Sequence, residues 1–144
     1  MKRLLLTCAA LIMFTATAFA YKVGDIIMVG GEMGVVFVVT TDGQHGKAMS
    51  VSQTECNWEQ AKAWCAQYGR GWRLPKIDEL KVIYNKNEAL NSTLSANGYK
   101  VLDTWYWSSE EYNSDCAWSV NLYGGGTLDI GKGYRTFVRA VSAF

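Results

Sequence analysis

Apolar positions along this chain fall first in short β-branched runs, then at helical spacing, and then in short runs again. Asp25 to Val29 carries two Ile and a Val and predicts a strand. Gly30-Gly31-Glu32-Met33-Gly34 is a turn cluster. Val35-Val36-Phe37-Val38-Val39 is uniformly apolar, which predicts a strand buried on both faces. The two runs are expected to pair as a hairpin. Asp42-Gly43 and His45-Gly46 mark the next turn, and Lys47 to Val51 a shorter third strand.

The period then changes. Trp58, Ala61, Cys65 and Tyr68 recur on one helical stripe. Asn57 is placed to cap the open amides, Gln60 to reach back to it, and Gly69 to end the helix. Pro75 is expected to open a second helix, where its missing N–H costs nothing. Ile77, Leu80, Ile83 and Tyr84 lie on the buried face of that helix. A short helical piece around Leu90 and Leu94 is expected to stop at Gly98. Everything after Tyr99 reads as β: Trp105 to Ser108, Ala117 to Leu122, Thr127 to Ile130 and Thr136 to Val141, punctuated by Gly124-Gly125-Gly126 and Gly131-Lys132-Gly133. Helices first and a β-meander last give an α+β domain. Its expected core comprises Val36, Val38, Trp58, Ala61, Cys65, Leu74, Leu80, Ile83, Trp107, Trp118 and Val138.

Residues 1–20 stand apart from this pattern. Lys2 and Arg3 precede an apolar stretch from Leu4 to Phe14, and Ala18-Phe19-Ala20 is a small-x-small cleavage site. These are the parts of a secretory signal peptide, too short to span a bilayer. Thr7 before Cys8 argues against lipid modification there. The domain is expected to occupy 21–144, exported to the periplasm, the cell surface or the medium. A chain of that size buries roughly two thirds of its unfolded surface in one core.

Charge excludes one class of partner. The sequence carries 14 basic and 13 acidic residues, two of the basic ones in the signal peptide. No basic patch points to nucleic acid. Six Trp and eight Tyr are many for this length; such rings supply core volume, and on loops they also make contact surfaces at low entropic cost. Export permits disulfides. Cys56 and Cys65 share the first helical segment, too far apart to bridge. Cys65 with Cys116 is the expected pair, a closure that would contribute about 4 kcal/mol in the chain-entropy account. The alternative is that all three cysteines are small apolar core residues.

Four blocks carry a resemblance: Gly71-Trp72-Arg73-Leu74-Pro75, Glu79-Leu80, Tyr106-Trp107-Ser108-Ser109 and Val138-Arg139-Ala140-Val141. In this order and spacing they resemble the C-type-lectin-like fold in its bacterial form, over roughly residues 50 to 144. That form occurs in formylglycine-generating-enzyme-like domains, in small secreted lectin-like domains and in the variable ligand-binding proteins of diversity-generating retroelements. The resemblance implies two main helices packed on a mostly antiparallel, twisted sheet. It also implies structural roles for Arg73, Pro75, Glu79, Trp107, Trp118 and Arg139. Glu79 is the natural partner for Arg73.

The chemistry that relatives perform lacks its residues here. Calcium-dependent sugar binding in true C-type lectins rests on a Glu-Pro-Asn or Gln-Pro-Asp triplet and a Trp-Asn-Asp triplet. This chain has neither, and its single proline, Pro75, lies outside any such triplet. Formylglycine-generating enzymes need a pair of reactive cysteines near the C-terminus, where only Cys116 lies. His45, the one histidine, sits beside a turn, and no cysteine spacing suggests zinc. No cofactor and no metal are expected.

What remains is the mixture of Glu110, Tyr112, Asn113, Ser114, Asp115, Asn121, Tyr123, Lys132, Tyr134 and Arg135 between framework residues. This is paratope chemistry, rigid rings among adaptable hydrogen-bonding groups. Its layout is similar to the C-terminal variable region of the retroelement-diversified proteins, and turns favour the same residue types. The expectation is a non-catalytic module that binds a protein or glycan through its C-terminal loops. The alternatives are a degenerate enzyme of the formylglycine-generating type and a structural subunit of a surface assembly.

Overall fold

The computed structural model describes residues 19–144. The expected signal peptide, with Cys8, lies outside the described residues apart from Phe19 and Ala20. The elements in order are β1 (Ile26–Val29), β2 (Glu32–Val39), β3 (Gly46–Ser50), β4 (Thr54–Cys56), α1 (Trp58–Tyr68), α2 (Ile77–Asn85), α3 (Asn87–Ala96), β5 (Trp105–Glu111), β6 (Cys116–Asn121), β7 (Thr127–Gly131), β8 (Thr136–Val138) and β9 (Val141–Ala143). They form a four-stranded sheet ordered β1-β2-β3-β9 and a five-stranded sheet ordered β4-β8-β5-β6-β7. Among the described residues only the β5–β8 contact is parallel. The α+β expectation holds.

The expected first hairpin is present and tighter than the turn cluster suggested. Val29 faces Glu32, so Gly30-Gly31 alone makes the turn, with φ of +56° and +86°. Two consecutive positive φ values suit the right-handed strand twist and favour glycine. In β2, Val35, Val36 and Phe37 are buried, whereas Val38 and Val39 are only half-buried. The pairing with β3 slips between Val36 and Val38, and this bulge turns the strand end off the core. Val38 is therefore not the core residue expected.

Helix α1 is capped as its residues predict. Asn57 Oδ1 accepts from the Gln60 N–H at 2.9 Å, and Gln60 Oε1 accepts from the Asn57 N–H at 3.2 Å. The start of α2 differs. Pro75 stays outside the helix and its carbonyl accepts from the Ser109 N–H at 2.8 Å. Lys76 is the extended cap residue. The first amides are satisfied by carboxylates instead: Glu79 accepts from Lys76 N–H at 2.9 Å, and Glu110 accepts from Ile77 N–H at 2.7 Å. Negative charge at a helix N-terminus also suits its dipole.

Two apolar clusters sandwich the five-stranded sheet. Leu80, Ile83, Leu90 and Leu94 from α2 and α3 meet Tyr106, Val120 and Leu122 on one face, together with Val35, Phe37 and Met49 of the other sheet. Trp58, Ala61 and Cys65 of α1 meet Trp107, Ala117 and Val138 on the opposite face. The run expected as a single strand over Thr136 to Val141 is divided between the sheets. Residues 136–138 pair with β4, and 141–143 with β3. Arg139 and Ala140 make the crossing. The carbonyls that this crossing and the nearby loops leave open are met by the Arg139 guanidinium, which is fully buried. It donates to the Ser50, Val51 and Lys100 carbonyls and to Gln53 Oε1, at 2.6–3.1 Å.

The expected Cys65–Cys116 bridge is not formed: Cys56, Cys65 and Cys116 are free. The sheet itself separates the expected pair. Cys65 lies in the α1 cluster with Ala117. Cys116 is the next residue along β6, so its side chain points to the other face. Burial pushes the Cys65 thiol up to about 12, with Cys56 nearby adding to the effect. Burial also raises Cys56, against the pull of Arg135. A thiol reagent on the native protein is expected to modify only the half-buried Cys116 quickly, and all three thiols after denaturation. An intact mass two hydrogens below that of the fully reduced chain would contradict this.

Candidate functional site

Antiparallel hairpins put successive turns at opposite ends of a sheet. This sorts the ten residues expected to contact a ligand. The β5–β6 turn brings Tyr112, Asn113, Ser114 and Asp115 to one end, where the loop leaving β7 adds Lys132, Tyr134 and Arg135. Asn121 and Tyr123 occupy the β6–β7 turn at the other end, so the structure does not bring them to the same site. Counting one strand between the two turns would have revealed this from sequence.

Several residues at the first end hold the loops in place. Asn113 Oδ1 accepts from the N–H groups of Asp115 and Cys116 at 2.8 and 2.7 Å. Lys132 ties three elements together. Its N–H donates to the Asp115 carbonyl at 2.8 Å, and its carbonyl accepts from the Trp58 N–H at 3.1 Å. Its ammonium reaches Glu111 at 3.1 Å and the Ser114 carbonyl at 2.9 Å, and lies 4.8 Å from the Trp58 ring centre. Arg135 donates to the Glu55 carbonyl at 2.6 Å. Glu110 caps α2. At the far end, Asn121 Oδ1 likewise accepts from Tyr123 and Gly124 N–H groups. Glu110, Asn113, Asn121, Lys132 and Arg135 thus shape the backbone.

Two aromatic side chains stand exposed among the polar residues of this end. Tyr112 is 53 % exposed and Tyr134 71 %. Tyr112 meets Trp118 edge to face, with ring centres 4.9 Å apart and planes at 80°. Trp118, expected in the core, is half-buried. It shares its face of β6 with the core residue Val120 but lies beyond it, toward the β5–β6 turn. The ladder pairs Trp118 with Asp129 and Cys116 with Gly131, so these four positions share one face. Tyr134 covers Gly131 so closely that a Cβ there would come within 2.9 Å of its ring. Only glycine lets the ring lie against the strand. Tyr112, Trp118, Tyr134 and Asp129 therefore form one surface around Cys116. Asp129 was not expected, and only the strand register brings it there.

A second hollow was also missed. A cleft of about 280 Å³ separates α1 from the Arg73 corner, floored by Ala66, Trp72 and Leu74 and rimmed by Lys62, Arg73 and Lys76. Its cations are partly engaged. Arg73 grips Glu79 with two bonds of 2.7 and 2.8 Å, as expected, and Lys47 adds a third contact at 2.9 Å. Burial alone would raise the Glu79 carboxyl. Arg73, the Lys76 N–H and Lys47 outweigh it and hold the carboxyl at about 2. Lys62 pairs with Glu59. His45 is exposed at the β2–β3 turn. Among the described residues no three His, Cys, Asp or Glu side chains gather as a metal site would require, and no helix is long and apolar enough to cross a membrane.

Two sheets, with α1 on one face of the larger one and α2 and α3 on the other, make this an α+β domain with a loop-bearing end. The chain belongs to the Lcl C-terminal domain family, whose model matches residues 38–142. Among solved structures it is similar to botrocetin, at 14 % identity and a TM-score of 0.46, over 67 % of this chain and 90 % of that one. Comparison with curated proteins gave no match.

Proposed function

We propose that this is an exported, non-catalytic domain that binds a protein or glycan through the face formed by Tyr112, Trp118 and Tyr134. The observation that carries the reading is two largely exposed tyrosines flanking one tryptophan on turns whose backbones are hydrogen-bonded into place. Rings held this way lose little freedom on binding, which is what makes a contact surface effective. Family membership agrees with a binding role. Export rests on Lys2-Arg3, the Leu4–Phe14 stretch and Ala18-Phe19-Ala20.

The test is an array of neutral, sulfated and sialylated oligosaccharides printed beside purified extracellular proteins. The wild-type domain is expected to bind at least one class. The double variant Tyr112→Ala, Tyr134→Ala is expected to lose about tenfold or more of that binding while its Tm stays within about 2 °C, as for exposed substitutions. Undiminished binding, or a Tm drop of about 10 °C or more, would show that the rings serve the fold instead.

A further inference from the structure

We propose that the cleft between α1 and the Arg73 corner is a second binding site, taking a small monocarboxylic acid with an aromatic or branched aliphatic body. It shares no residue with the Tyr112–Trp118–Tyr134 face and stands independently of it. Shape supplies the first ground. The cleft volume is about 280 Å³, slightly below the roughly 300 Å³ at which pockets begin to hold drug-sized molecules, so its occupant is small. The floor is Ala66, Trp72 and Leu74. It offers no free side-chain donor, because the Trp72 indole N–H is spent on the Val29 carbonyl at 2.9 Å. A flat or branched apolar group suits such a floor. The walls are fixed. Arg73 and Val141 exchange two backbone bonds of 3.0 and 2.9 Å, and the Pro75 carbonyl accepts from the Ser109 N–H at 2.8 Å. The Trp58 indole anchors the start of α1 to the Ser108 carbonyl at 2.8 Å. A cleft already shaped loses little freedom on binding.

Charge supplies the second ground. Every ionisable residue lining the cleft is a cation: Lys62, Arg73 and Lys76. Their commitments differ. Lys62 pairs with the exposed Glu59 at 2.9 Å and lies over the Trp58 ring, a surface pairing of small worth. Arg73 spends two N–H groups on Glu79 and one on the Leu74 carbonyl, and a guanidinium carries more than these. Lys76 is exposed and meets no carboxylate among the described residues. The acids nearby do not line the cleft. Glu79 is held by Arg73 and Lys47, Glu110 is spent on the Ile77 N–H, and Asp78 stands exposed on the first turn of α2. The positive field is therefore confined to the cleft mouth. It draws one carboxylate and repels ammonium groups, whereas a polyanion would have to run past Asp78 and Glu110. The Lys76 and Ile77 N–H groups at the start of α2 are already taken. The contact falls to the Lys76 ammonium, with Arg73 beside it.

The experiment follows the amide and indole N–H signals of the purified domain by NMR while phenylpropionate is added. Saturable shifts are expected at Ala66, Trp72 and Ser109, with a Kd on the order of 1 mM, as suits a ligand of about ten heavy atoms. Phenylpropionamide, similar in shape but uncharged, and acetate, charged but without the ring, are each expected to bind about tenfold or more weakly. Lys76→Gln is expected to weaken phenylpropionate about fivefold. Ala66→Glu, on the exposed side of α1, is expected to abolish its binding while Tm stays within about 2 °C. The double variant Tyr112→Ala, Tyr134→Ala is expected to leave it unchanged. No saturable shift up to about 20 mM, or shifts that survive Ala66→Glu, would overturn the site. Equal binding of the amide would overturn the carboxylate, and equal binding of acetate the apolar body. An acetylated dipeptide ending in a free phenylalanine carboxylate that binds about tenfold more tightly than phenylpropionate would overturn the small molecule in favour of a chain terminus.

Discussion

Replacing Arg139 with methionine is expected to lower stability by about 3–5 kcal/mol, out of the roughly 5–15 kcal/mol that holds a domain of this size together. The side chains are similar in reach, so packing changes little. The hydrogen bonds change a great deal. Arg139 is the donor for three backbone carbonyls, those of Ser50, Val51 and Lys100, and for Gln53 Oε1. An acceptor left buried without a donor costs about 1–3 kcal/mol. Rearrangement and water entry recover part of that sum. Burial of the cation is itself unfavourable and lowers its pKa, with Tyr106 opposing the effect. Swapping a buried ion pair for apolar groups is often harmless because both partners go. Here the partners are main-chain carbonyls that no substitution removes. Urea unfolding is expected to show a midpoint far below wild type with an unchanged slope. Arg139→Lys is expected to fall between the two, since one ammonium cannot span the same acceptors. A methionine variant within about 1 kcal/mol of wild type would refute this account.

Glu79→Gln is expected to lose about 1–2 kcal/mol at neutral pH and to abolish a specific acid sensitivity. The carboxyl titrates at about 2 in the folded chain against 4.5 as its ordinary value. Because the folded value is depressed, the stabilisation is complete above about 4.5. It fades as pH falls from there toward about 2 and is absent below. The full shift corresponds to about 3 kcal/mol. Arg73 and Lys47 are 45 % and 39 % exposed, however, and water screens both, which reduces the expected effect to the smaller figure. The measurement is a set of urea midpoints for wild type and Glu79→Gln at several pH values. The gap between the two curves should close on acidification through this window. A gap that stays constant down to pH about 3 would assign Glu79 a packing role instead.

Some of these contacts were legible in the residues. The Asn57–Gln60 cap and the Arg73–Glu79 grip each join residues close in the chain, where local geometry leaves few alternatives. β4 was not legible. Thr54-Glu55-Cys56 has no strand pattern of its own, and its pairing with β8 joins residues far apart in sequence. Nor was the fate of Cys65 and Cys116, because which face of β6 a residue takes is a matter of register. Trp118 shows the same limit. Its position on the strand was readable, but its exposure depends on where α2 stops covering the sheet.

The amino-acid sequence by itself determined the α+β order, the start of α1, most of the short strands and the aromatic surplus in the last third, because each follows from neighbours within a few residues. Only the tertiary structure decided which turns share an end, that Glu110, Asn113 and Lys132 hold loops in place, and that Asp129 joins Trp118. Those outcomes follow from strand pairing and from which face a helix covers. Both are set by contacts between residues far apart in the chain, which no local pattern encodes.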